Sequence, residues 1–119
     1  EGDVIGDFGL SGGGAAGFEL DRADARLGTP PGSVVVASSE GHSRSFVVVP
    51  EELLSHITTV TGEKPERMIR ADMTLVERPD GGAVFSVGSI TFCGSLSHNG
   101  YRNNISRIVD NVLRRFAAP

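Results

Sequence analysis

Apolar and polar positions alternate most regularly on either side of Arg78-Pro79-Asp80-Gly81-Gly82. Met73 and Leu75 precede that segment at a spacing of two, and Ala83, Phe85 and Val87 follow it at the same spacing. Period-two alternation around a segment in which Pro presets φ and Gly accepts positive φ predicts a β-hairpin. A different period rules the C-terminal stretch. Ile105, Ile108, Val109, Val112, Leu113 and Phe116 fall at i, i+3, i+4, i+7, i+8 and i+11, with Asn103 or Asn104 placed to cap. This predicts an amphipathic helix over Asn104 to Phe116 whose stripe is buried.

Two short β-branched runs, Val34 to Ala37 and Phe46 to Val49, are apolar at every position and predict buried strands. Sorted charges from Phe18 to Leu27, acidic early and basic late, predict a short helix stopped by Gly28, Pro30 and Pro31. Pro50, Glu51 and Glu52 ahead of Leu53, Leu54 and Ile57 predict another, ending near Thr58. The stretches Asp3 to Gly17 and Gly88 to Gly100 are expected to be loops. The expected fold class is therefore α/β: a small β-sheet with a C-terminal covering helix.

Composition narrows the functional classes. The chain has 119 residues, 39% hydrophobic and 22% charged, one domain's worth of packable sequence with no linker or repeat to divide it. Its 15 carboxylates outnumber 11 Lys and Arg, so neither nucleic acid nor an anionic membrane surface is an expected partner. No apolar run exceeds four residues, as in Phe46 to Val49, far short of a membrane helix. Cys93 stands alone, which excludes an internal disulfide and fits a cytoplasmic, reducing location. The opening at Glu1, without Met or a signal-like stretch, suggests a fragment.

The glycines ask for an explanation, since 16 occur and they cluster between Gly9 and Gly17. Gly12 to Gly17 fits G-x-G-x-x-G, with Glu40 placed beyond the next strand where a ribose-binding acid would stand. That chemistry needs a strand delivering the loop to a helix N-terminus, and Asp3 to Gly9 is a poor strand; a closely packed glycine loop accounts for the pattern as well. Gly9 to Gly13 also fits G-x-S-x-G around Ser11, but the chain is too short for the sheet that motif serves. Among metal-ligating types only Cys93 and His98 are close in sequence, and one pair is no site, so no metal ligand is assigned. Cys93 is expected to be a small buried hydrophobe, and His56 a surface residue near a helix end.

Gly81 to Ile90, Cys93 to Asn99, Asn103 to Ile108 and Asn111 to Phe116 together resemble the C-terminal part of the N,N-dimethylformamidase large subunit. Ile5 to Leu10, Gly13 to Gly17, Leu27 to Pro31, Ala37 to Ser43 and Arg70 to Met73 are similar to the same family in the same order. The resemblance implies a parent that hydrolyses a small tertiary amide to an amine and a carboxylate. It also implies an α/β domain similar to class I glutamine amidotransferases, of which residues 1–119 would form the C-terminal portion, and a smaller partner subunit. It further implies a mononuclear iron held by two tyrosines and a glutamate. Tyr101 is the sole tyrosine here, so those ligands are expected in the remainder of the large subunit and this chain is expected to hold no cofactor itself.

Two expectations about function follow. In the first, the chain is a structural and site-completing part of an amide hydrolase, inactive alone; in the second, it is a stand-alone nucleotide- or phosphate-binding module using Gly12 to Gly17. For the first, the loops leaving the strands at Ala37-Ser38 and Val87-Gly88-Ser89 are the natural cleft formers. If those strands run the same way, Glu40, His42, Ser89 and His98 gather at one sheet edge, and the two histidines orient a metal ligand or a substrate carbonyl by hydrogen bonding. The plainer account is that both loops pack against a neighbouring domain.

Overall fold

The computed structural model describes residues 2–10, 12–49 and 65–118. The expected helix from Pro50 to Thr58, together with His56 and Ser11, lies outside them. Three strands form one antiparallel sheet in the order β1-β2-β3: β1 is Val34–Ser39, β2 Ala71–Glu77 and β3 Ala83–Ser86. A one-turn helix α1 (Pro65–Met68) leads into β2, α2 (Phe92–Leu96) follows β3, and α3 (Asn104–Ala117) closes the chain. Among the described residues, no helix is long and apolar enough to cross a membrane.

The hairpin forms as its alternation requires. Thr74 pairs with Ser86, Leu75 with Phe85, Val76 with Val84 and Glu77 with Ala83. Arg78 N–H donates to the Gly82 carbonyl at 3.0 Å, and Gly81 and Gly82 take φ of 89° and 85°, which a side chain would disfavour. The Asn103 carboxamide caps α3 by accepting from Ser106 N–H at 2.9 Å. The core brings together Ala15, Met73, Phe92 and Ile105, with Ile5, Phe8, Ala37, Phe85, Val87, Leu96 and Val109 packed around them.

Several expectations are corrected. β1 forms, but Val34, Val35 and Val36 are exposed rather than buried, because no described element covers the sheet faces at that end of the strand; the β1 residue that packs on the core is Ala37, beyond an irregularity between Val35 and Ala37. Phe46 to Val49 joins no strand, and only Val48 is buried. Of the helix expected from Phe18 to Leu27, only a 3-10 turn at Ala25–Leu27 exists. Tertiary hydrogen bonds hold the rest extended: Leu20 bridges Ser89, Asp21 N–H donates to Gly88 O at 2.9 Å, and Asp72 N–H donates to Asp21 O at 2.9 Å.

The segment after β3 is not simply a loop, since α2 lies within it. Only Ile105 of the α3 stripe is fully buried, and Leu113 is 62% exposed, so the helix covers the core with its N-terminal half alone. Cys93 is exposed on α2 rather than buried.

Candidate functional site

β1 and β3 both run antiparallel to β2 and therefore run the same way as each other, so the chain leaves both at one end of the sheet. A buried charge cluster ties that end together. Asp72, its side chain 2% exposed, accepts from Ser38 Oγ at 2.6 Å, Ala23 N–H at 2.8 Å and Arg70 Nε at 3.0 Å. Arg70 also donates to the Ala23 carbonyl at 2.7 Å. A buried carboxylate met by three donors, one of them a guanidinium, is a satisfied structural group. It fixes β1, β2 and the segment 20–24 relative to one another.

The four residues expected to gather there have separate surroundings. Glu40 is exposed just past β1. His42 folds back on the strand end, its Nε2 lying 2.9 Å from Ser39 Oγ and 3.2 Å from Ser39 O, its ring tilted against Phe46. Ser89 is buried and donates to the Phe18 carbonyl at 2.7 Å. His98 is exposed beyond α2 and stacks on Phe8, ring centroids 4.2 Å apart. Among the described residues, no hydrogen bond or ring contact joins any two of these four.

The structure assembles something the sequence reading missed. Residues 8–10 and 12–18 are fastened to the segment 89–95 by three side-chain hydroxyls. Ser95 Oγ donates to Phe8 O at 2.5 Å, Thr91 Oγ1 accepts from Gly17 N–H at 2.7 Å, and Ser89 Oγ donates to Phe18 O. Leu10 N–H adds a bond to Gly94 O at 3.2 Å. Immediately after this strapped loop, Glu19 sits at φ 51°, a left-handed conformation that costs a residue with a side chain about 1 kcal/mol or more. Its carboxylate is exposed beside Phe18, itself 61% exposed. Glu is not a residue type that marks left-handed backbone, so nothing in the pattern of residues points to this position.

Among the described residues, the glycine loop lacks the strand-to-helix frame of a phosphate-binding turn. No strand precedes it among the described residues, and the helical piece within it is a 3-10 turn at Gly14–Ala16. Ala15 N–H is used by Gly6 O at 2.8 Å and Gly17 N–H by Thr91, so these donors are turned inward. Gly14, at φ 64°, lies against the Gly6 carbonyl where any Cβ would collide.

Among the described residues, no three His, Cys, Asp or Glu side chains come together in a group that could hold a metal. A ligand set of two tyrosines and a glutamate does not fit this chain either, because Tyr101 is its one tyrosine.

Residues 1–104 match the family model described as N,N-dimethylformamidase beta subunit-like, C-terminal. The chain is 49% identical over 113 residues to the N,N-dimethylformamidase beta subunit of Paracoccus aminophilus, and 47% identical over 113 residues to that of an Alcaligenes species. Each alignment takes in 94% of this chain and 15% of the relative, so the chain spans about 15% of the length of the curated relatives it matches.

Proposed function

Because the chain belongs to the N,N-dimethylformamidase beta subunit-like, C-terminal family, we propose that it is the part of an amide-hydrolysing subunit that completes a substrate site built mainly elsewhere. The observation that carries this reading is the strapped loop ending in Glu19. A backbone strained at one carboxylate, held by buried hydroxyls and flanked by an exposed aromatic ring, suits a wall of a pocket for a small tertiary amide. Such an amide presents alkyl groups to Phe18 and a carbonyl carbon to water. Hydrolysis adds water across the C–N bond and releases a carboxylate and an amine. In this reading the Glu19 carboxylate takes a proton from the attacking water and passes it to the departing nitrogen.

Ser89 is then a positioning residue, holding the Phe18 carbonyl so that Glu19 keeps its left-handed backbone. In this reading Glu40 and His42, just past β1, and His98, beyond α2, act as orienting groups. The sheet is read as the end of a larger α/β domain similar to class I glutamine amidotransferases, continued by the remainder of the beta subunit and assembled with another subunit. Iron, implied by the family resemblance, would be held by residues of that remainder. The nucleotide-module reading has no comparable support, since the donors a phosphate would need at Ala15 and Gly17 are already engaged.

The test is Glu19→Gln in the complete beta subunit, assembled with its partner. Turnover of N,N-dimethylformamide should fall by about 100-fold or more with the melting temperature unchanged. Undiminished turnover would remove Glu19 from the chemistry, and turnover by the isolated 119-residue chain would overturn the site-completing role altogether.

A further inference from the structure

The apolar stripe of α3 runs on past the part that the core uses. Ile105 is fully buried and Val109 packs against the core, yet Leu113 and Phe116 are 62% and 42% exposed. Val109, Leu113 and Phe116 stand at i, i+4 and i+7, a ridge of the kind that seats a second helix. Beside the ridge lies an open groove of about 830 Å³ whose wall includes Leu96, Tyr101, Arg102, Arg107, Val109 and Leu113.

Tyr101 reaches this groove from a strained turn. Asn99, Gly100 and Tyr101 have φ of 51°, 60° and 64°, three successive left-handed residues. Asn103 Nδ2 fixes the turn by donating to the His98 and Leu96 carbonyls at 2.7 and 3.0 Å, and Asn99 Nδ2 donates to Arg102 O at 3.2 Å. The result is a 66% exposed aromatic side chain carried on a pinned backbone.

The charge around the groove opposes that of the chain. The whole chain carries a formal charge of -4, yet residues 102–115 hold four arginines and Asp110 as their sole carboxylate. Arg114 pairs with Asp110 at 2.8 Å and Arg115 pairs with Glu77. Arg102 and Arg107, which line the groove, have no ion-pair partner among the described residues. An apolar ridge flanked by two uncommitted guanidinium groups calls for apolar anchors flanked by carboxylates. A phosphate polymer would bring no apolar anchors and would meet the net negative charge of the chain.

We propose that the groove between the 99–101 turn and α3 seats an acidic amphipathic helix of another subunit. Its apolar side chains would pack on Leu113 and Tyr101 while its carboxylates meet Arg102 and Arg107. The choice of another subunit rests on the beta-subunit reading above; the surface and its charge do not.

The surface is tested on the 119-residue chain by fluorescence anisotropy with two synthetic helices of about 20 residues. Both carry Leu at i, i+3, i+4 and i+7, one with Glu and the other with Lys at the remaining helix-forming positions. The Glu helix should bind at least about tenfold more tightly than the Lys helix, and Leu113→Glu and Arg107→Glu should each weaken it about tenfold or more. Both side chains are exposed, so neither variant should change the melting temperature. Equal binding of the two helices, no loss on Leu113→Glu, or displacement of the Glu helix by a single-stranded oligothymidylate would overturn the proposal. In the assembled beta subunit, a photo-crosslinker at position 113 should join two different subunits. Crosslinks confined to the same polypeptide would overturn that choice of partner, while the amide-hydrolase reading is tested separately, by the turnover of Glu19→Gln and of the isolated chain.

Discussion

The hydroxyl of Ser95, fully buried in α2, donates to the carbonyl of Phe8 at 2.5 Å and so joins residues 87 positions apart. Together with Thr91 and Ser89 it turns a glycine-rich segment with few apolar side chains into a fixed part of the fold. Small polar side chains can do this because each satisfies a backbone group that burial would otherwise leave unpaired.

Replacing Ser95 by Ala should therefore destabilise the chain by about 1–3 kcal/mol, the cost of an unpaired carbonyl at a buried site. Urea denaturation measures it. A smaller loss would mean that water replaces the hydroxyl and that the loop is not closed over this point.

Asp72→Ala removes the acceptor shared by Ser38, Ala23 and Arg70. Breaking a buried ion pair from one side costs about 3–5 kcal/mol. Asp72→Asn keeps the shape and part of the hydrogen bonding, so it should cost less than the alanine change in the same denaturation experiment.

The two halves of α3 should respond differently. Ile105→Ala empties a fully buried position and should cost about 2–5 kcal/mol. Leu113→Ala should cost the chain less than about 0.5 kcal/mol, as exposed positions do. Equal losses would show that Leu113 is packed after all.

Arg78 holds the Asp80 carboxyl below its ordinary range, through side-chain hydrogen bonds from Nε at 3.1 Å and Nη2 at 3.2 Å. A depressed carboxylate contributes stability that is fully present above its unfolded value and is lost as pH falls through the lower, folded one. A carboxyl NMR titration should place the Asp80 midpoint below that of an unperturbed aspartate, and Arg78→Ala should return it upward. No movement in the variant would assign the depression to the turn backbone instead.

Family, hairpin and C-terminal helix were legible in the residues because each rests on information local in the chain. The turn chemistry of Arg78 to Gly82 fixes the register of β2 and β3, and the period of the apolar residues from Ile105 to Phe116, with Asn103 ahead of them, fixes α3. Long stretches of consecutive residues likewise carry the dimethylformamidase resemblance, and the family model matches residues 1–104. Burial was not legible. Val34 to Val36 and Leu113 have the composition of core residues, but whether they are covered depends on what stands beside an edge strand or beyond the first turns of α3. Nor could the sequence show that Asp21 exchanges backbone hydrogen bonds with Gly88 and Asp72, which overrides the helical charge pattern of Phe18 to Leu27 and sets Glu19 on left-handed backbone. Periodicity and capping act between residues a few positions apart and are written in order along the chain. The straps at Ser89, Thr91 and Ser95 join segments more than 70 residues apart, and only the closed tertiary structure brings their donors and acceptors together.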